Sequence, residues 1–201
     1  MNYLISLTSI LPMQLQRAYI VGLCLMSLGF APVHAADFGE AAWAMSPAEI
    51  RALESRLNLT PIGELDYLIY QADIPGVEQA RIVYQFKDLM LIEGRFIFST
   101  NDPLNIQQAV DQYQQILELM NSQYGPAVGK QVLTSQSAEA QPASADYASE
   151  LAADRLILKS TWRSPSAIVH HQLAWQLKQP HHQLVYKPTV TLPVPELDDA
   201  N

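Results

Sequence analysis

Apolar and polar residues alternate along six stretches of the chain, a pattern that predicts β-strands. In one stretch Ala80, Ile82, Tyr84 and Phe86 share one face, whereas Arg81, Gln85 and Lys87 share the other. Such alternation is typical of a sheet that buries one face and leaves the other in water. The six predicted strands span residues 65–73, 79–86, 89–100, 155–163, 167–177 and 182–190.

Two other stretches have the 3.6-residue periodicity of amphipathic helices. The first begins with a capping box, in which Ser46 and Glu49 satisfy each other's backbone amides and Pro47 occupies the first helical position. We expect this helix to continue to about Leu57, with Ile50, Leu53 and Leu57 on its apolar face. The second is expected between an Asp102-Pro103 cap and a stop at Gly125-Pro126, and its apolar stripe comprises Ile106, Val110, Tyr113, Leu117 and Met120.

The element order predicts an α+β fold with two helices packed on one face of a mainly antiparallel sheet of about six strands. Helix, three strands, helix, three strands is also the order expected of two αβββ halves, although the halves share no convincing residue identity. Residues 134–146 are rich in Ser, Ala and Gln and predict a mobile loop, and residues 147–154 are compatible with a helix. Residues 193–201 predict a disordered acidic tail.

The amino-terminal part has the three regions of a secretion signal. Arg17 is followed by an apolar run over 18–30, and Val33 and Ala35 are the small residues expected before a cut at Ala36. The run is shorter than the roughly 20 residues needed to span a bilayer. We therefore expect residues 1–35 to be a cleaved signal peptide, residues 36–192 a single domain, and the mature protein periplasmic, with no stable membrane span.

Two alternatives stay open for this region. An uncleaved signal would act as an anchor, and translation from Met13 instead of Met1 would still leave a complete signal. Cys24 lies inside the apolar run behind Val21-Gly22-Leu23, whereas a lipoprotein signal needs a small residue directly before its cysteine. Lipid attachment at Cys24 is therefore not expected.

Composition narrows the classes of partner. The residues from 36 onward contain all 20 acidic and 11 of the 12 basic residues, which gives them a formal charge of −9. No run of Lys and Arg occurs, so neither nucleic acid nor an anionic membrane surface is expected as a partner. The same residues contain no cysteine, which excludes disulfides, thiolate nucleophiles and cysteine metal ligands.

Four histidines form two adjacent pairs, His170-His171 and His181-His182. A hairpin turn at residues 178–181 would place His182 opposite Leu177, with His171 six residues farther along its strand, about 20 Å away. Alternation would direct His171 to the apolar face and His170 to the wet one. We therefore expect half-buried or hydrogen-bonded histidines and no metal site.

The remaining chemistry is sparse. No Gly-x-Ser-x-Gly elbow, glycine-rich loop, His-Glu-x-x-His or calcium motif occurs, so neither an enzyme nor a bound cofactor is expected. A hydrolase would need convergent titratable residues, and the carboxylates are expected at solvated positions: Asp66, Asp73, Glu78, Asp88 and Glu93. The aromatic residues would pack in the core or line a cavity, and they are Trp43, Tyr67, Tyr70, Tyr84, Trp162, Trp175 and Tyr186.

The features of the chain that carry a resemblance to other proteins are the run from Phe38 to Ile50, a Tyr-rich strand, a hairpin, a helix ending Tyr124-Gly125-Pro126 and a late strand with Trp162. In these features the chain resembles a group of small exported bacterial proteins without assigned function. Their mature domains open Trp-Gly-(Met/Asp)-Ser-x-x-Glu-Val, and here Ala44 stands in place of the glycine. The Met-Ser-x-x-Glu-Ile start is distantly similar to that of SmpA/OmlA-type envelope lipoproteins and of the β-lactamase-inhibitor-like fold. The distant similarity implies protein binding without catalysis, and neither resemblance transfers a functional residue.

Together these observations predict a periplasmic, non-enzymatic protein-interaction domain whose partner is another envelope protein. The alternative is a small-ligand binding protein that holds a lipid or cell-wall fragment in an aromatic-lined cavity between helices and sheet. The sequence leaves the oligomeric state open.

Overall fold

The computed structural model describes residues 37–60, 66–102, 104–134 and 143–192. The signal segment with Ala35 and Ala36, most of the predicted loop and the predicted acidic tail lie outside these residues. Three helices are described, α1 (Pro47–Leu53), α2 (Ile106–Tyr124) and α3 (Tyr147–Ala152), with a 3₁₀ turn at Ser144–Asp146. The strands are β1 (Tyr67–Ile74), β2 (Val77–Lys87), β3 (Met90–Ser99), β4 (Gly129–Thr134), β5 (Leu156–Arg163), β6 (Ala167–Gln176) and β7 (Gln179–Pro188).

All seven strands form one antiparallel sheet in the order β1-β2-β3-β7-β6-β5-β4. Two three-stranded meanders, β1-β2-β3 and β5-β6-β7, meet where their last strands pair. That junction runs from Gly94 opposite Tyr186 to Phe98 opposite His182. The predicted α+β class with an antiparallel sheet is therefore confirmed.

The helices bury their apolar residues against one face of the sheet, which we call the covered face. Ile50 of α1, Tyr113 of α2 and Leu151 of α3 belong to the same core as the strand residues. The strands contribute alternate residues, as the pleat requires. Buried examples are Leu68, Tyr70, Ile82, Tyr84, Phe98, Leu158, Trp162, Val169, Leu173 and Leu184.

The counts of six strands and two helices are wrong for this structure. Strand β4 adds an edge to the sheet beside β5, and its short sequence Gly-Lys-Gln-Val-Leu-Thr does not alternate strongly enough to be recognised. The prediction of a helix near residues 147–154 is confirmed by α3. Helix α2 begins at the Asn105 cap, not at Asp102-Pro103, and ends before Gly125 as expected.

Helix α1 is shorter than predicted. The capping box of Ser46 and Glu49 is present, but the helix ends at Leu53 because Glu54 is extended. Its carboxylate accepts a hydrogen bond from the Tyr84 hydroxyl and pairs with Arg56. The chain then follows the free edge of β1, where the Leu59 amide donates to the Ile69 carbonyl at 2.7 Å. Leu53 and Leu57 are consequently exposed, and Ile50 alone of the predicted stripe is buried.

Residues 37–46 form a segment that lies across the junction of the two meanders. The Phe38 ring contacts Tyr84, Phe96 and Tyr186, with centroids 5.0 to 5.3 Å apart. The Trp43 indole N–H donates to the Ser166 carbonyl at 2.9 Å, at the turn between β5 and β6. One short segment therefore contacts both meanders.

Two residues give this segment its geometry. Gly94 lies directly beneath the Phe38 ring, and a Cβ at position 94 would overlap ring atoms. Ala44 has a φ of 67°, in the left-handed region that favours glycine. A glycine at position 44 would meet this requirement without strain.

We expect Gly94→Ala to lower the free energy of unfolding by about 1–3 kcal/mol, the usual cost of overpacking a filled core. The Phe38 ring cannot move aside easily because three other rings surround it. Urea unfolding followed by circular dichroism measures the change.

Gly129→Ala is the matched control, because its Cβ would meet the Thr161 Cβ at an ordinary 3.8 Å. In a Phe38→Ala background, Gly94→Ala should cost much less than in the parent chain. Equal costs in the two backgrounds would contradict the proposed overlap.

Candidate functional site

The structure offers two places for chemistry, a polar cluster inside the core and the opposite, uncovered face of the sheet. The cluster consists of Gln112, Tyr113, Ser160, His171 and His182, all less than 8% exposed. Buried polar groups are costly unless they are hydrogen-bonded. Their partners therefore determine what the cluster can do.

The two buried histidines form a hydrogen-bonded chain with Gln112. His182 Nδ1 lies 2.9 Å from Gln112 Oε1, and His182 Nε2 lies 2.7 Å from His171 Nε2. Because an amide oxygen only accepts, His182 carries its proton on Nδ1 and accepts from His171 Nε2–H. Both rings are then neutral, and His171 Nδ1 is a buried acceptor without a partner among the described residues.

Aromatic packing holds the pair in place. The Tyr113 ring stacks on His171 with centroids 4.1 Å apart, and its hydroxyl lies 2.9 Å from Ser160 Oγ. Phe98 contacts His182 from the first meander, with a centroid distance of 4.5 Å. The cluster thus connects α2 with β3, β5, β6 and β7.

The prediction that His171 and His182 lie far apart is wrong. The β6–β7 hairpin turns at Leu177-Lys178, and His182 pairs with Leu173 while His171 pairs with Leu184. The two side chains are diagonal neighbours on the covered face. The prediction that His171 and His170 face opposite sides of the sheet is confirmed.

The cluster is enclosed, and its protonation is strongly disfavoured. Burial lowers the pKa of His171 to about 3. Burial, followed by the proximity of His171 and His181, holds the pKa of His182 well below its usual range. Within the described ranges, no group of three or more His, Cys, Asp or Glu residues is placed to hold a metal ion. The geometry therefore supports a role in packing specificity.

The opposite face of the sheet carries no described helix, and we call it the open face. One row of this face crosses all seven strands in register, from Ile69 and Val83 through Arg95 and Val185 to His170, Thr161 and Gly129. The neighbouring row contains four glutamines, with Gln71, Arg81, Ile97, Gln183, Gln172, Lys159 and Gln131 in strand order. The open face thus combines aliphatic, amide and cationic side chains.

Basic residues are concentrated on the open face. Of the 12 basic residues in the chain, six project from these strands: Arg81, Lys87, Arg95, Lys159, Arg163 and Lys187. Among the described side chains of the same face, strand alternation places two acidic ones, Asp73 and Glu93. Glu93 pairs with Arg95 and lies 3.2 Å from Lys187.

A groove of about 390 Å³ lies on the β4–β7 part of the open face. Gln131, Lys159, His170, Gln172 and Lys187 are among its lining residues. His170 Nδ1 lies 3.3 Å from Thr161 Oγ1. Burial and then the positive charges of Lys187 and Lys159 lower the pKa of His170, which is the effect expected of a cationic surface.

The aromatic residues considered from the sequence differ in burial. Tyr70, Tyr84, Trp162 and Tyr186 are buried in the core, and Tyr67 is exposed. Trp43 and Trp175 pack against the core at its margin. Six of these seven aromatic residues therefore contribute to the core or its margin.

The two polar sites were not found from the sequence for different reasons. The burial of Gln112 and Ser160 could not be recognised from the sequence. Each is a single polar residue in a helix or strand whose other polar residues face solvent. The basic surface arises from residues far apart in the chain, which only the strand register brings together. Among the carboxylates, Asp66, Asp73 and Asp88 are exposed as expected, whereas Glu93 forms ion pairs.

We expect acid to destabilise the fold through the buried pair. Below pH 6.5 the unfolded chain binds protons at His171 and His182 that the folded chain does not bind, and for His171 this difference persists to about pH 3. The free energy of unfolding therefore falls as pH falls, by roughly 2 kcal/mol for His171 between pH 7 and pH 5, and His182 acts in the same direction. Urea unfolding at a series of pH values measures this slope.

His171→Gln should flatten the slope strongly, whereas His181→Gln, which lies outside the cluster and affects His182 only through the proximity of its charge, should change the slope much less. In the unaltered protein, the ¹⁵N shifts of both buried rings should remain those of neutral imidazole at pH 5. A protonated ring at pH 5 in the folded protein would contradict the assignment.

Comparisons with other proteins add no functional assignment. No protein-family model matches the chain, and the curated proteins and solved structures searched contain no significant match. Within the described part of the chain, no helix is both long and apolar enough to cross a membrane.

Proposed function

We propose that this chain is a non-enzymatic protein-interaction domain that binds another envelope protein through the open face of its sheet. The observation that carries the proposal is the one-sided packing of the fold. The three helices and the segment 37–46 all pack on the covered face, and no described element packs on the opposite one.

The composition of the open face suits a protein partner. Its centre contains partly buried aliphatic residues, such as Ile97 and Val185, surrounded by glutamine and charged side chains. An apolar centre with a polar rim is the usual arrangement of a protein interface. The alternation directs these side chains away from the core, so those that are partly exposed, such as Ile97 and Val185, are available to a partner.

Small-ligand binding is the second candidate function. It is favoured by a groove of about 400 Å³ between α2 and β4, where Tyr113 and Tyr147 lie among Gln107, Asp111 and Lys130. This groove is largely polar, which suits a hydrophilic fragment better than a lipid. A partner bound on the open face and a ligand bound in this groove would occupy opposite sides of the sheet.

Export belongs to the same proposal. We expect the protein recovered from a periplasmic fraction to begin at Ala36, as amino-terminal sequencing would show. Ala35→Tyr should block processing, because the cleavage site requires a small side chain. Ala36→Ser is the matched control and should be processed normally. Recovery of the unprocessed chain in the inner-membrane fraction would support an uncleaved signal that acts as an anchor.

Site-specific photo-crosslinking in cells tests the interaction surface. A photoreactive residue at Thr161 or Gln183, both on the open face, should give a discrete adduct with one envelope protein. The same residue at Glu118 or Asp111, on exposed positions of α2, serves as the matched control.

The captured protein must then bind the purified domain, and binding must weaken when Val185→Glu places a charge at the centre of the open face. Adducts from the α2 positions alone would overturn the proposed surface. Adducts with no single partner would overturn the proposed function.

A further inference from the structure

The distribution of charge separates the two faces of the molecule. The chain is acidic overall, yet six of its 12 basic residues lie on the open face. Acidic residues lie instead in or beside the helices of the other side: Glu49, Asp111, Glu118, Asp146, Glu150 and Asp154. A partner that meets the open face therefore meets a positive surface on a negative protein.

Part of that positive charge is not neutralised. Glu93 is shared between Arg95 and Lys187, so its single negative charge compensates only one of these two cations. Lys159 and Arg163 have no acidic partner within 4.0 Å among the described residues. Lys159 and Lys187 approach His170 from different sides of the same groove. Two cations around one recess suit a ligand that carries separated negative charges.

The groove also offers groups that bind peptide backbone. Gln131 and Gln172 line it, and Gln183 continues the same row onto β7. Side-chain amides both donate and accept hydrogen bonds, as a peptide backbone requires of its partner. A mixed lining of amides and lysines is therefore suited to an extended acidic peptide segment.

We propose that the groove on β4–β7 binds an extended acidic segment of the partner protein, with Lys159 and Lys187 each contacting a carboxylate. The inference rests on the proposed function and names the chemistry of the partner. The two lysines are two strands apart and about four residues apart along the strand direction, which separates their backbones by roughly 16 Å. An extended peptide of about five residues spans that distance.

Glu93 favours a peptide over a uniformly anionic surface. Its carboxylate lies within the basic surface, where it would repel a bilayer or a polyphosphate chain that presents negative charge continuously. A peptide can place neutral residues opposite Glu93 and acidic residues opposite the lysines. A recessed groove is also less accessible to a flat bilayer than to a single extended chain.

A titration with defined peptides tests the inference. The probe is an alternating Glu-Ser octapeptide with a neutral dye, added to the ¹⁵N-labelled domain beginning at Ala36, and the matched Gln-Ser octapeptide is the uncharged control. The Glu-Ser peptide should shift amide resonances of β5, β6 and β7 and bind at least about tenfold more tightly than its control at low salt.

Single substitutions locate the contact. Lys159→Gln and Lys187→Gln should each weaken peptide binding about threefold, the usual effect of removing one exposed charge pair. Lys130→Gln, on the same sheet but on the other side of β4, is the matched control and should leave binding unchanged. Shifts confined to the α2–β4 groove, or equal binding of both peptides, would overturn the inference.

Two further binding experiments distinguish an acidic peptide from other anionic partners, a lipid bilayer and a nucleic acid. Vesicles of phosphatidylcholine and phosphatidylglycerol at 7:3, and an oligothymidylate of 12 nucleotides, are added to the same domain. Stronger binding of either than of the Glu-Ser peptide would overturn the choice of a peptide. The last outcome is a partner that cross-links at Thr161 and binds the Lys159→Gln and Lys187→Gln variants as tightly as the parent domain. That result would overturn this inference without contradicting the proposed function.

Discussion

The pairing of β3 with β7 is the constraint on which the rest of the structure depends. Five residue pairs join two meanders into one sheet, and the junction places Gly94 beside Tyr186 and Phe98 beside His182. Phe38 can cover the junction because Gly94 has no side chain, and Gln112 can reach His182 because α2 crosses the same region. The aromatic centre therefore exists only when this pairing forms, and the polar cluster, whose residues all lie on α2 and the second meander, gains its contact with Phe98 from it.

The core combines apolar packing with one polar network, and the two have different consequences. Apolar contacts tolerate exchange of similar volumes, whereas a hydrogen-bonded chain from Gln112 through His182 to His171 accepts one register and one tautomer arrangement. A slip of β7 by one residue would expose His182 and bury His181. The network thus stabilises one strand register at the cost of acid sensitivity, since both rings must stay neutral.

The local elements were largely predictable, because capping, alternation and periodicity act within a few residues. The β6–β7 turn was not. Leu177-Lys178 adopts positive φ without the asparagine or glycine that usually marks such a hairpin. Misplacing the β6–β7 turn separated His171 from His182 in the prediction. The β3–β7 pairing joins residues almost 90 positions apart, so no local pattern could indicate it or the surfaces that it creates.

Strand alternation explains why an acidic chain presents a basic face, because it sends every second residue to the open face. Lys159, Arg163 and Lys187 come together within the second meander, and Arg95 joins them when β3 pairs with β7. Their mutual repulsion is a cost to folding that Glu93 relieves only in part, because it shares one negative charge between Arg95 and Lys187. An acidic partner would remove the remaining repulsion, so its binding would stabilise the fold as well as the complex.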